Sequence, residues 1–246
     1  MNGFISVLKR EFKGYFTTPV AYVFLVIFLF LAGYATFEPG RGNFFLARQA
    51  YLRPFFANLP ALFIFLIPAV AMRLWAEERR SGTIEVLLTL PLTVTQAVLG
   101  KFFAAWLFLA VGLFLTCPII FTVSYLGDPD WGLIITGYLG SILMAGSYLS
   151  IGIFCSALTK NQVVGFILAV VACSVLVAAG SPPALDFLSR WVPGFFVDIF
   201  ESLSFMNHFD SIQKGVLEFK DLLFYISVMC GWLIATVVLL QNRKAA

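Results

Sequence analysis

Six apolar stretches that contain no charged residue constrain this chain more than any other feature of its sequence. They run approximately Pro19–Phe37, Leu59–Met72, Phe102–Leu126, Leu133–Leu158, Val163–Pro182 and Leu222–Leu240. A helix needs about 20 residues to cross a hydrocarbon core. The second stretch reaches that length only if its helix continues through Arg73 and Trp75. All 16 Lys and Arg, all 13 Asp and Glu, and the single His lie outside the six. Lipid offers the backbone no hydrogen-bond partners, so such runs must satisfy themselves as helices. The expected fold is therefore an all-α integral membrane protein with six transmembrane helices. Composition agrees: 61% of residues are apolar and 12% charged, against roughly 45–50% and 25% in a soluble domain. So apolar a chain cannot stay disordered in water. Its charges form no block long enough for a soluble module, so residues 1–246 read as one domain.

Orientation follows from the excess of Lys and Arg expected in cytoplasmic loops. With the N-terminus cytoplasmic, the inner segments hold Lys9, Arg10, Lys13, Arg73, Arg79, Arg80, Lys101, Lys160, Arg243 and Lys244. The outer segments then hold only Arg41, Arg48, Arg53, Arg190, Lys214 and Lys220. Both termini are expected in the cytoplasm. The first apolar run follows a long leader and no A-x-A site follows it, so it reads as a retained span rather than a secretion signal.

Boundary chemistry punctuates the spans. Thr18-Pro19 has the form of an N-cap followed by proline at the first helical position. Thr93–Gln96 and Thr159–Gln162 both have the T-x-x-Q spacing of a capping box, opening the third and fifth spans. Gly127-Asp128-Pro129-Asp130 is a chain breaker. In the fourth span Gly137, Ser141 and Ala145 recur every four residues, the small-residue spacing that lets helices approach closely in lipid.

Three segments are not simple spans. In residues 1–18, Phe4, Leu8, Phe12 and Tyr15 fall on one helical face, with Ser6, Arg10 and Lys13 opposite. With Lys9 this makes a basic amphipathic helix suited to the headgroup layer. In residues 73–101, Arg73 and Glu77 stand four apart and Glu77 and Arg80 three apart, spacings that allow ion pairs on a helix extending into water. Gly82 interrupts that helix. Thr83 to Leu90 then forms a helix of about eight residues, roughly 12 Å long, closed by Pro91. Its apolar stripe of Ile84, Leu87 and Leu88, rimmed by charged residues from Glu77 to Arg80 and by Glu85, is the pattern of a partner-binding patch. In residues 183–221, Leu185, Phe187, Leu188, Trp191, Phe195 and Phe196 are too apolar for a loop, and Pro193-Gly194 makes them too short to span. Half-inserted, re-entrant helices on the outer face fit best.

Catalytic signatures are missing. There is no G-x-x-x-x-G-K-[ST] phosphate loop, H-E-x-x-H or G-x-S-x-G. Cys117, Cys155, Cys173 and Cys230 fall in apolar runs without C-x-x-C spacing and read as buried, unreactive residues. No metal ligand set is present. His208 has no Cys or second His near it and reads as structural. Glu77 and Glu78 point about 100° apart on a helix beside arginines, so they make a poor acid–base pair. A net charge of +3 without a basic run does not suit nucleic acid. Ion-coupled carriers keep ionisable groups inside their spans. This chain has none, so energy for any transport would come from elsewhere.

The run Glu77-Glu78-Arg79-Arg80-Ser81-Gly82-Thr83-Ile84-Glu85-Val86-Leu87-Leu88-Thr89-Leu90-Pro91, followed by Leu99-Gly100-Lys101-Phe102, resembles the E-E-R-x-x-G-T-[IL]-E-x-L-L-x-x-P…G-K signature of ABC-2 type permeases. The similarity is nearest to the gliding-motility-associated and nitrous-oxide-accessory branch, which Ser204-Phe205, His208-Phe209 and Lys214-Gly215-Val216 also resemble. The resemblance implies a multi-pass subunit of a cell inner (cytoplasmic) membrane exporter. It also implies pairing with a second permease copy or a related permease, with room for an extracytoplasmic accessory protein. The loop after span two would be the coupling helix, docking on a separate ABC ATPase subunit that binds ATP and Mg; this chain itself would hold no cofactor and would not be an enzyme. Residues 1–18 would be the family's connecting helix. A scaffold that transmits ATPase-driven motion without carrying a solute remains the alternative, and a sizeable cavity between the spans would speak against it.

Overall fold

The computed structural model describes residues 3–37, 51–82, 93–179, 186, 189–190 and 204–245, and among these every regular element is an α-helix. They are α1 (Gly3–Thr17), α2 (Pro19–Phe37), α3 (Arg53–Ala71), α4 (Arg73–Ser81), α5 (Val94–Phe114), α6 (Cys117–Leu126), α7 (Trp131–Leu158), α8 (Gln162–Ala178), α9 (Phe205–Gln213) and α10 (Phe219–Ala245). Five helical stretches are long and apolar enough to cross a membrane: Pro19–Phe37, Arg53–Ser81, Val94–Leu126, Trp131–Leu158 and Phe219–Asn242. The fifth apolar run of the sequence appears as α8, a shorter helix of 17 residues.

The second span begins at Arg53, six residues before its apolar run, with proline in its first turn. Proline is tolerated there because the first N–H groups of a helix lack intrahelical partners. The third is broken at Leu115–Thr116 into α5 and α6, with Pro118 in the first turn of α6. At Thr93 the capping box is complete: Gln96 N–H donates to the Thr93 hydroxyl at 3.2 Å, and Thr93 N–H to the Gln96 side chain at 3.3 Å. Two other expected caps differ. Helix α8, the fifth apolar run, is capped by Asn161, whose side chain accepts from Val163 N–H at 2.9 Å, while Thr159 accepts from Asn161 itself. An Asx side chain reaches the second residue onward as well as a threonine reaches the third, so the nearer cap prevails. Thr18 donates backwards to the Tyr15 carbonyl at 3.1 Å and so closes α1 rather than opening α2.

Helix α7 is the axis of the bundle; α3, α4, α5, α8, α9 and α10 all pack on it. Its small residues explain why. A β-carbon built on Gly137 would lie 2.5 Å from the Phe56 ring, and one on Gly152 would lie 2.6 Å from the Ala71 methyl. Ser141 and Ala145 are buried beside them. The buried serines of α7 satisfy their hydroxyls on backbone carbonyls: Ser141 on Gly137 at 2.7 Å, and Ser147 on Tyr225 of α10 at 3.2 Å. An unsatisfied hydroxyl in an apolar interior is costly, so such back-bonding is the usual resolution. By contrast, α2 turns Val23, Val26 and Phe30 outward, as suits a helix bathed in lipid. Cys155 and Cys173 are buried, whereas Cys230 lies exposed on α10 and Cys117 is half-buried. A thiol that behaves as a small apolar group sits as readily in lipid as in a core.

At the opposite end from α4, Ser204 caps α9 and Gly215 takes a positive φ of 84° to turn the chain toward α10. His208 Nδ1 lies 2.6 Å from Asp221 Oδ1, and its ring stacks on Phe224 at 4.1 Å. The lone histidine thus joins α9 to α10. Of the segment 183–221, expected to be re-entrant, residues 204–221 hold α9 and the first residues of α10, and most of 183–203 lies outside the described residues.

Candidate functional site

Chemistry concentrates where α1, α4, α5 and the end of α7 meet. Helix α3 stops at Ala71, Met72 turns the chain, and α4 continues to Gly82, whose φ of 74° ends it in the left-handed conformation. The first N–H groups of any helix lack intrahelical partners, and Met72 has no side chain to cap them. Ser156 of α7 supplies the cap from another helix. Its hydroxyl accepts from Trp75 N–H and Ala76 N–H, both at 3.1 Å, and donates to the Met72 carbonyl at 2.9 Å. Farther along, the Arg79 guanidinium donates to the Ala157 carbonyl at 2.7 Å. That carbonyl belongs to the last turn of α7, where orphan acceptors and the helix dipole favour a cation. Helix α4 is fastened to α7 at both ends. Ser156→Ala is therefore expected to cost about 1–3 kcal/mol by stranding buried N–H groups, read as a lower melting temperature in detergent. Ser156→Thr, which keeps the hydroxyl, should lose less.

Lys101 ties the remaining helices together. It is 2% exposed, and its Nζ lies 2.8 Å from Glu78 of α4, 3.4 Å from Glu11 of α1, and 5.2 Å from the Trp75 ring centroid. Glu11 also accepts from Arg10 at 2.6 Å. Burial pushes the Glu11 carboxyl up, but Lys101 and Arg10 together outweigh it and hold the group below its ordinary value. A buried charge needs such pairing, since an isolated one is strongly disfavoured. Helix α1 reaches Lys101 by packing along α5: Val7 sits over Gly100, Phe4 meets Phe103 edge-on at 5.9 Å, and Tyr15 stacks on Phe108 at 4.7 Å. Its most buried residue is Val7, between the expected apolar positions Phe4, Leu8 and Phe12, which are half-buried; Lys9, Arg10 and Lys13 are exposed.

A cavity of about 470 Å³ opens beside this cluster, walled by α1, α2, α3, α4 and α5. Glu11, Arg73, Glu77, Glu78 and Lys101 line it together with apolar residues such as Val23, Phe24, Ile27, Leu66 and Val70. That volume falls within the roughly 300–1,000 Å³ of small-molecule sites.

The charged turn differs from expectation in its pairing. Among the described residues no ion pair joins Arg73 to Glu77 or Glu77 to Arg80. Glu77 and Arg80 are exposed, and the acid that is engaged is Glu78, across the bundle on Lys101. Glu77 and Arg80 have water as an alternative partner and gain little by pairing, whereas buried Lys101 has none and takes the carboxylate of Glu78. Thr83, Ile84, Glu85, Leu87, Leu88 and Pro91 lie outside the described residues. Sequence reading assigned no role to Ser156, Glu11 or Trp75. Lys101 was counted among the inner cations and in the G-K pair, though a lone lysine abutting an apolar run is itself a signal of a buried, paired charge.

Five long apolar helices, with a buried ion cluster at one end and a cavity beside it, define a polytopic helical membrane protein. The model for the ABC-2 family transporter protein matches residues 42–240, and the chain belongs to that family. The match begins after α2 and ends within α10. Among curated proteins none matches the chain significantly.

Proposed function

We propose that the chain is the permease subunit of an ATP-binding cassette exporter, driven by a separate ATPase that binds ATP and Mg. In this reading six helices span the inner membrane, α8 being the fifth, and both termini are cytoplasmic. Two permeases, identical or related, pair there, and the nearest branch is the gliding-motility-associated and nitrous-oxide-accessory one. Thr83–Pro91 is the coupling helix. What supports this most is the fastening of α4, which leads directly into that segment. Ser156 and Arg79 tie α4 to α7, and the Glu78–Lys101–Glu11 cluster ties it to α5 and α1. A push on the coupling helix is thus passed to three further helices as a rigid-body displacement. The cavity between the spans favours a permease over a scaffold that carries nothing.

The test is co-purification with a separate ABC ATPase subunit. Truncating Leu88 to alanine at the patch centre should weaken docking by about 1–3 kcal/mol, and Glu85→Lys should weaken it further through mispaired rim charge. Membrane insertion should survive, since neither residue lies in a span. Intact ATPase binding and intact transport-coupled hydrolysis in the double variant would refute the reading, as would an ATPase that contacts only Thr159–Gln162.

A further inference from the structure

The cavity beside Lys101 has an apolar wall that faces outward. Val20, Val23 and Ile27 of α2 line it and are 46%, 56% and 44% exposed. An apolar wall exposed on a membrane helix opens toward lipid rather than water. The other end of the cavity is charged, and its charges divide in a particular way. Of the lining charges, Lys101 is paired with Glu78 and Glu11, and Glu11 is paired as well with Arg10, which is exposed and lies outside the lining. What is left is one cation and one acid lining the cavity, half-buried Arg73 and, at its exposed rim, Glu77. Neither side chain makes an ion pair or a hydrogen bond among the described residues, and the buried Arg73 Nε has no partner. A guanidinium nitrogen shielded from water and unpaired is costly unless a ligand completes it.

We propose that this cavity binds a phospholipid with a zwitterionic headgroup, entering sideways from the bilayer between α2 and α3. The phosphate is held by Arg73, whose planar fork suits phosphate oxygens. The headgroup ammonium is held by Glu77, and the first part of an acyl chain lies along Val23, Ile27 and Leu66. An anionic lipid would leave Glu77 facing its negative charge, and a cationic amphiphile would leave Arg73 uncompensated; only a headgroup with both signs satisfies both. The site deepens the permease reading, on which it rests for its role, by making amphiphilic lipid the substrate class.

The experiment is equilibrium binding of pyrene-labelled phosphatidylethanolamine, phosphatidylcholine and phosphatidylglycerol to the full chain purified in detergent. The two zwitterionic lipids are expected to bind, and phosphatidylglycerol about tenfold more weakly. Arg73→Gln and Glu77→Gln should each lower phosphatidylethanolamine affinity by about tenfold. Neither side chain has a hydrogen-bond or ion-pair partner among the described residues, so folding should be unaffected. Ala69→Trp, which fills the cavity from within, should abolish binding. Equal binding of the three lipids, or binding indifferent to both glutamine variants, would overturn the proposal. So would a Val23→Cys chain that forms a disulfide between two copies in native membranes, because a second copy would then cover the wall. The assay needs no ATPase, so a failure here is distinct from a failure of ATPase co-purification.

Discussion

Lys101→Met is expected to destabilise the protein more than any other change at the charged end of the bundle. Methionine keeps the length of the side chain but leaves Glu11 and Glu78 facing one another without their shared cation. Removing one member of a buried charge cluster typically costs about 3–5 kcal/mol. The carboxylates here keep 19% side-chain exposure each, so the lower end of that range applies. Thermal unfolding in detergent should show the loss, and adding Glu78→Gln to Lys101→Met should return part of it. A melting temperature unchanged by Lys101→Met would refute the cluster. The same geometry sets an acid limit. Glu11 titrates below its reference value of 4.5 in the folded chain, so its contribution is complete above that value. It is lost as pH falls from 4.5 through the lower folded value. This follows because the unfolded chain takes up the proton first. The packing of α1 on α5 should therefore loosen in that acid window, and Lys101→Met, which removes the largest influence lowering the Glu11 carboxyl, should raise its folded value and weaken this pH dependence.

The second large effect is expected at Gly137. Any β-carbon there enters the Phe56 ring at 2.5 Å. Phe56 is fully buried and held edge-on by Phe55 at 5.1 Å and Tyr138 at 5.5 Å, so it has nowhere to move. Overpacking of this kind costs about 1–3 kcal/mol, and more for a side chain as large as leucine. Gly137→Leu should melt well below the native chain. Gly33→Leu is the matched control, since a β-carbon on Gly33 meets nothing within 4 Å and leucine favours the helix by several tenths of a kcal/mol. Equal melting temperatures for the two variants would mean that α3 and α7 do not touch at this position.

How far the sequence could be read differs from element to element, for physical reasons. The first apolar run, Pro19–Phe37, coincides with α2, because burial in lipid depends only on local composition and length. The Thr93 capping box was legible for the same reason: both of its hydrogen bonds close within three residues. Glycine at position 82 ends α4, and that too is a local backbone requirement. The α4 charges were misread where the rule assumed that a carboxylate pairs along its own helix. Glu78 instead pairs with a lysine 23 positions away, whose desolvation makes it the more demanding partner.

Sequence alone thus determined the class of this protein: helical, membrane-embedded, with an amphipathic start and a charged turn leading to Gly82. Hydrophobic length and helix capping are short-range quantities, summed along the chain, and need no knowledge of neighbours. Tertiary structure alone decided what the polar residues do. Ser156 caps a helix 80 residues away from it, Val7 rather than Phe4 is the buried contact of α1, and Arg73 and Glu77 line a cavity without an ion pair among the described residues. A buried polar atom takes whichever partner the packing brings within about 3 Å, and packing is the one thing that periodicity along the chain does not encode.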